Sequence, residues 1–301
     1  MKYSIEIVRL LAVILITFTH TRHSITPEDS KLIHFIVEEL PTIGTVLLSL
    51  VSGYLYFKIS YHKPQLFLSK VKTLFIPFLI ANLSVLLLVL VANYGFGYNA
   101  LNRIGYDFSI ITEGIFALNS PPINPPTYFI RDIFIIFVLI ELIKSKNLYM
   151  LLIIIPLLVF GKLLLRYDIL VLFLMGAVIA KFYGQIFKPQ IKKIIIILLV
   201  TVSLFLIFKT GVSVYKYSIA LLVFIWAIST KIKFYNVGAY SYLLHLYHSP
   251  IIVCLYPLIK RISSNEFLLV LLQVVVSFVC VYVLYIATRK IPRLRIICGY
   301  K

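Results

Sequence analysis

Long runs of apolar residues alternate with short polar connections along almost the whole chain. Each run is about as long as the roughly 17–25 residues that a helix needs to cross a bilayer core of about 30 Å. Ten runs are present, at about residues 4–20, 40–57, 72–93, 127–143, 147–161, 165–181, 191–208, 213–230, 236–259 and 266–288. This pattern predicts an all-α integral membrane protein with about ten transmembrane helices.

The composition supports a membrane protein over a soluble one. The chain of 301 residues is 61% hydrophobic and 13% charged, with a mean hydropathy of +1.01. Soluble domains usually have about 45–50% apolar and about 25% charged residues. No long polar stretch interrupts the runs, so we expect residues 1–301 to form a single transmembrane domain without a fused soluble domain.

The positions of the basic residues predict the orientation. If the N-terminus is cytoplasmic, 18 of the 29 Lys and Arg residues lie on the cytoplasmic side and nine on the outer side. Arg9 and Arg131 fall within apolar runs and complete the total. Cytoplasmic loops of membrane proteins carry such an excess. We therefore predict that both termini are cytoplasmic, and we attribute the net charge of +18 to topology and not to nucleic-acid binding.

One connection, residues 94–126, is much longer than the others and is predicted to lie outside. Its apolar stretch at residues 108–118 is too short to span the bilayer, so it lies in the interface or re-enters the membrane. Connections longer than about 15 residues are more often lids or binding loops than idle connectors. A flexible outer loop is the alternative.

The first run is RLLAVILITFTH at residues 9–20, which places an arginine and a histidine at its two ends. Arg9 and His20 are eleven positions apart, so on a helix they share one stripe and lie roughly 16 Å apart. This spacing suits a site that holds an anion at the inner end and carries out proton chemistry at the outer end. The alternative is that Arg9 snorkels to the interface and His20 only marks the end of the helix.

The segment GAYSYLLHLYHSPI at residues 238–251 provides a second polar group. His245 and His248 are three residues apart and share one face of a helix, with Tyr242 nearby. Pro250 removes a backbone hydrogen bond and is expected to kink this helix. Histidine can act as a general base near neutral pH. A zinc site would need a third ligand at a suitable spacing, and because there is none we predict no metal.

Two further polar groups lie within the apolar runs. Arg131 enters the fourth run directly after the long loop, and its neighbour Asp132 projects about 100° away on a helix, so the two are not expected to pair automatically. Ser52 and Gly53 allow close helix packing in the second run. The chain has no Walker loop, Rossmann glycine pattern, HExxH or GxSxG.

In this order the motifs resemble those of the acyltransferase 3 family of bacterial integral-membrane acyltransferases. The first helix of that family carries an arginine and a histidine with ten residues between them, as do Arg9 and His20. LVSGYL at residues 50–55 is similar to the second-helix signature. SKVKTLFIPFL at residues 69–79 is similar to the basic stretch before the third helix and contains Lys70 and Lys72.

The resemblance continues in the second half of the chain. TYFIRDIF at residues 127–134 resembles a W-F-L-R segment, with Tyr128 in place of tryptophan and Arg131 retained. The segment at residues 238–251 resembles a late S-Y-x-x-Y-L-x-H-x-P motif. It places His248 at the recurrent histidine and His245 where tyrosine is usual.

The resemblance implies transfer of an acyl group, most often acetyl, from cytoplasmic acetyl-CoA to a sugar hydroxyl of a surface polysaccharide or its lipid-linked precursor. His20 would be the general base or would carry the acyl group, Arg9 would orient the donor, and Arg131 and His248 would hold the oxyanion or the acceptor. A basic inner face would receive the CoA phosphates. The residues assigned in this way are His20, Arg9 and His248 for catalysis and Arg131, Ser52, Lys70, Lys72 and Tyr242 for binding.

The expected location is the bacterial inner membrane, with an extracytoplasmic partner protein or with the membrane unit acting alone. A polysaccharide transporter or polymerase is the chief alternative, because proton-coupled carriers also contain intramembrane arginine and histidine. A carrier would more often show internal repeats with broken helices, and none is visible in the sequence. A purely structural membrane protein would not need the four residues Arg9, His20, Arg131 and His248 together.

Overall fold

In the computed structural model, the polypeptide is described for residues 2–101, 103–209, 212–230 and 232–299, and this part contains helices and no β-strand. Helices of at least ten residues occur at all ten predicted places. They are α1 (Lys2–Phe18), α2 (Ile43–Leu55), α3 (Ile76–Leu90), α4 (Tyr128–Ser145), α5 (Leu151–Phe160), α6 (Tyr167–Lys181), α7 (Pro189–Lys209), α8 (Val212–Ser229), α9 (Gly238–Ile259) and α10 (Glu266–Lys290).

The observed helix ends differ from the predicted ones where short helical turns continue a helix. Turns on both sides extend α2 to Lys31–Ser60 and α3 to Leu66–Gly95. In contrast, α1 ends at Phe18, so His20 lies in the turn just beyond the helix and not within its last turn. The backbone N–H of His20 still donates to the carbonyl of Thr17, which keeps the histidine close to the helix axis.

Five helices in the described part of the chain are long and apolar enough to cross a membrane: Lys31–Ser60, Leu66–Gly95, Pro189–Leu206, Gly238–Ile259 and Glu266–Lys290. Leu148–Phe160 and Val214–Ser229 are apolar but shorter. The structure therefore supports a membrane protein made of helices. Ten membrane crossings and cytoplasmic termini stay predictions.

Helix α2 lies at the centre of the fold because glycines allow its neighbours to approach its backbone. A Cβ atom built on Gly53 would lie 1.8 Å from the carbonyl oxygen of Phe173 in α6, and one on Gly176 would lie 2.1 Å from that of Leu50. Gly44 approaches the carbonyl of Ala12 in α1 in the same way. The predicted packing role of Gly53 is confirmed.

The long connection at residues 94–126 is folded against the helices. Residues 110–115 form one helical turn, and Ile104, Ile115 and Ala117 are buried. The carbonyl of Leu118 accepts a hydrogen bond from the backbone N–H of Lys162. Part of this connection is therefore packed against the helices, whereas residues 94–100 are exposed.

The residues after α10 also return to the helix bundle. Pro292–Cys298 form a 3-10 helix that contacts α3, α9 and α10, and Gly299 follows it with a positive φ of 66°. We call residues 292–299 the C-terminal segment. Cys298 is buried within the fold.

Candidate functional site

A cavity of about 330 Å³ lies between α1, α2, α4, α9 and the C-terminal segment. Three of the predicted site residues line it: Arg9, Ser52 and Tyr242. His245 lines it as well, and its other walls include Thr73 and residues of α4 and the C-terminal segment. The cavity therefore brings together residues from both ends of the sequence.

Arg9 occupies one end of this cavity and is held there by two neighbours. Its Nη1 atom lies 3.1 Å from Oε1 of Glu6, one helical turn earlier, which provides an opposite charge for a cation within a largely apolar helix. A Cβ atom built on Gly238 would lie 2.8 Å from the same Nη1, so the guanidinium packs where only a glycine leaves room. Lys70 lies close enough to Arg9 for the two charges to repel. The group formed by Glu6, Arg9 and Lys70 therefore carries a net positive charge.

His20 and His248 meet although they are 228 positions apart in the sequence. Their ring centroids are 5.2 Å apart, with the ring planes tilted by 50°. Nδ1 of His248 is 2.6 Å from the carbonyl oxygen of Leu244. Because a carbonyl can only accept, Nδ1 carries the proton, and a neutral His248 ring then has its lone pair on Nε2. Nε2 is buried and makes no hydrogen bond within the described residues.

His245 connects the cavity to this pair of rings. Its side chain is buried, and its ring centroid is 6.3 Å from that of His248 and 5.6 Å from the Phe129 ring. Neither ring nitrogen makes a hydrogen bond of regular geometry in the part of the chain that the structure describes, although the backbone carbonyl of Pro126 lies beside the ring as an acceptor. Buried polar atoms without partners are rare in proteins. These nitrogens are therefore available to a bound substrate.

The hydroxyl of Tyr242 is a further polar group in the cavity that has no hydrogen-bond partner among the described residues. The hydroxyl of Ser52 instead donates to the carbonyl of Leu48 within its own helix, 2.7 Å away. Lys70 lies over the Phe137 ring at 4.2 Å, and Lys72 is exposed. The binding roles predicted for these residues stay predictions.

Arg131 lies outside this cavity. Its Nη1 donates to the carboxylate of Asp132 at 2.8 Å and to the carbonyl of Leu163, and its Nη2 donates to the carbonyl of Lys162. The carboxylate of Asp132 accepts two backbone N–H groups of the same connection. The two side chains do pair, contrary to what their spacing suggested, because both bind the connection between α5 and α6. Arg131 thus has a clear structural function, and its predicted contact with the acceptor stays a prediction.

Some residues of the site were not selected from the sequence. The sequence pattern favours His248 over His245, and it does not mark Glu6, Gly238 or the C-terminal segment as part of a site. The three-residue spacing of Glu6 and Arg9 is a signal for the ion pair. No local pattern indicates that the C-terminal segment reaches the cavity. Within the described residues, no three His, Cys, Asp or Glu side chains are grouped so that they could hold a metal ion.

The comparison with protein families gives a match over almost the whole chain. The model of an acyltransferase domain, that of the acyltransferase 3 family, matches residues 2–286. The match confirms the resemblance found in the sequence, and the C-terminal segment lies beyond it. Neither the curated proteins nor the solved structures gave a match.

Proposed function

The chain belongs to the acyltransferase 3 family, and we propose that it transfers an acetyl group from acetyl-CoA to a hydroxyl of a cell-surface polysaccharide or its lipid-linked precursor. One observation supports this most directly. A single cavity has a guanidinium at one end and His245 in its wall, and His245 leads to the paired rings of His248 and His20.

The net positive charge of the group around Arg9 suits the donor. Arg9 and Lys70 provide cations for the phosphates of CoA, and phosphate oxygens bind such groups with charge-assisted hydrogen bonds. A cavity of about 330 Å³ is within the usual size range of ligand sites and has room for the acyl-bearing end of the donor. The thioester carbonyl would then lie near His245.

The paired histidines suit the proton transfer. In the reaction the hydroxyl oxygen of the acceptor forms an ester bond with the acyl carbon and the bond from that carbon to the CoA sulfur breaks. The hydroxyl proton passes to an imidazole and then to the departing thiolate, which leaves as CoA. We assign the base to His20, with His248 beside it in the Nδ1–H form.

The same proposal includes the orientation of the protein. We place Arg9 toward the cytoplasm and His20 toward the outer face of a bacterial inner membrane, with ten membrane crossings and both termini inside. Acetyl-CoA would enter from the cytoplasm, and the acceptor would approach the histidines from the outer side. An extracytoplasmic partner protein is a further candidate component. The excess of basic residues on the inner side supports this orientation.

Mass spectrometry of the surface glycan tests the proposal in strains with the intact gene, a deletion, His20→Ala and His62→Ala. His62 is exposed and serves as a matched histidine control. We expect the acetyl mass increment with the intact protein and with His62→Ala. His20→Ala should lower it by about 10²–10⁴-fold, the usual contribution of a general base.

Two results would contradict the proposal. An unmodified glycan of normal length in all strains would exclude this glycan as the acceptor. A glycan that is short or missing from the surface after deletion would favour a polymerase or a transporter. Membrane levels of each variant, measured by immunoblot, show that a loss of acetylation is not a loss of protein.

A further inference from the structure

A second cavity of about 440 Å³ lies on the other side of α4. Aromatic and aliphatic side chains from α3, α4, α5 and the long connection form nearly all of its wall, and Arg131 is the one charged residue among the described residues that line it. Its size and lining suit an apolar chain. No step of the proposed reaction takes place in this second cavity.

The two cavities share one lining residue. Phe129 and Ile133 of α4 line the first cavity, and Arg131 and Phe134 line the second. Ile130 is the one residue in the described part of the chain that lines both. Ile130 is buried, with 4% of its surface exposed.

The position of Ile130 relates it to the reacting acyl group. Its neighbour Phe129 contacts the His245 ring edge-on, with 5.6 Å between the centroids. An acyl carbon held near His245 therefore has Ile130 close by in the wall of the same cavity. A short acyl group fits in front of this side chain, and a longer one must pass it into the second cavity.

We propose that Ile130 sets the length of the acyl group that the protein transfers. This inference rests on the proposed acyl transfer. With isoleucine present, the first cavity is closed and the donor carries a short acyl group. If the side chain is shortened, the second cavity becomes a binding pocket for the alkyl chain of a longer acyl thioester. The chemistry is the same: the ester C–O bond forms, the thioester C–S bond breaks, and CoA leaves as the thiol.

The test measures donor preference in membrane vesicles that carry the native glycan. Acetyl-CoA and octanoyl-CoA are supplied separately, and the acyl groups on the glycan are quantified by mass spectrometry to give kcat/KM for each donor. Ile130→Ala should raise the octanoyl-to-acetyl ratio by at least about tenfold, since one methylene in an apolar pocket is worth about 10–200-fold. Ile130→Val should give a smaller rise in the same direction.

Ile136→Ala is the matched control, because Ile136 is also buried in α4 but lines neither cavity. It should leave the ratio unchanged. A second pair of variants refills the pocket. Leu157 lines the second cavity, whereas Leu158 is 60% exposed. Adding Leu157→Trp to Ile130→Ala should restore the preference for acetyl, and adding Leu158→Trp should not.

Three results would overturn the inference. The first is a wild-type protein that uses octanoyl-CoA as well as acetyl-CoA. The second is an unchanged ratio in Ile130→Val, which is expected to fold even if Ile130→Ala does not. The third is a ratio in Ile130→Ala that does not respond to Leu157→Trp. If the wild type transfers neither acyl group, the proposed function itself has failed, which is a distinct outcome.

Discussion

The side-chain amide of Asn124 donates a hydrogen bond of 2.7 Å to the backbone carbonyl of Leu246. In a regular helix this carbonyl would accept from the N–H of the residue four positions later, but that residue is Pro250, which has none. The long connection therefore provides the donor that the proline removes. Since Leu246 lies between His245 and His248, this bond fixes the helix where the two histidines project.

Asn124→Ala should destabilise the protein by about 1–3 kcal/mol, because it leaves a buried carbonyl without a donor. The free energy of unfolding in detergent micelles measures this change. Asn99→Ala, at an exposed site in the same connection, should stay within about 0.5 kcal/mol of the wild type.

Pro250→Ala restores the N–H that bonds to Leu246, so the double variant should lose much less stability than the two single changes predict. The losses of unfolding free energy in the two single variants can be summed and compared with the loss in the double variant. If they agree within about 0.3–0.5 kcal/mol, the assigned role of Asn124 is wrong.

The helices could be placed from the sequence because apolar runs of membrane-spanning length are a strong signal. The site could be predicted only in part. His20 and His248 were both selected, but spacing within one segment cannot show that α1 and α9 bring their rings within 5.2 Å. That depends on which helices are neighbours in the folded chain, where Gly238 of α9 lies against Arg9 of α1. The C-terminal segment is short and basic, and such segments usually remain in solvent, so its return to the cavity could not be foreseen.

Gly299→Ala should weaken donor binding through the C-terminal segment. Gly299 has a φ of 66°, and a Cβ atom there would lie 2.6 Å from the carbonyl oxygen of Thr73, which also lines the cavity. The added methyl group must move the segment away from Thr73. We expect KM for acetyl-CoA to rise by about tenfold, equivalent to about 1.4 kcal/mol. Steady-state kinetics in vesicles measures it.

Gly97→Ala is the matched control, because Gly97 has a φ of 67° but no atom within 4 Å of a built Cβ. In Gly97→Ala the alanine adds only the strain of a positive φ, which is about 1–2 kcal/mol. An equal change in KM for both variants would mean that strain, and not displacement of the segment, is the cause.

Gly238→Ala tests the placement of Arg9. The new Cβ would come within 2.8 Å of Nη1, and because that atom ends a flexible side chain, the guanidinium moves and the fold stays intact. We expect KM for acetyl-CoA to rise by about tenfold with little change in kcat, since binding of the donor is affected and not the chemical step. Gly184→Ala, where the methyl group would meet nothing within 4 Å, should leave KM unchanged. If KM is unaltered in Gly238→Ala, Arg9 does not take part in binding the donor.

The connection at residues 94–126 should loosen at low pH because of Glu113. Burial opposes ionisation of this carboxyl, but hydrogen bonds from Asn119 and Ser120 outweigh it and hold its pKa below the ordinary value of 4.5. A lowered pKa means that the stabilisation is complete above pH 4.5 and is lost as the pH falls through the lower folded value. Hydrogen exchange of residues 113–120, corrected for intrinsic rates, should show this loss of protection. Glu113→Gln should remove the pH dependence; a variant that keeps it would exclude Glu113 as the cause.

His245→Leu should make the protein more stable and less active. Both ring nitrogens are buried without a hydrogen bond of regular geometry in the described residues, and replacing them with an apolar side chain removes a desolvation cost of about 1–3 kcal/mol. Acyl transfer should fall at least about tenfold if these nitrogens bind the substrate. Thermal unfolding and glycan acetylation measure the two effects on the same membrane preparation. A variant that is less stable but fully active would identify His245 as a packing residue against Phe129. A stable but inactive variant would place His245 in the site.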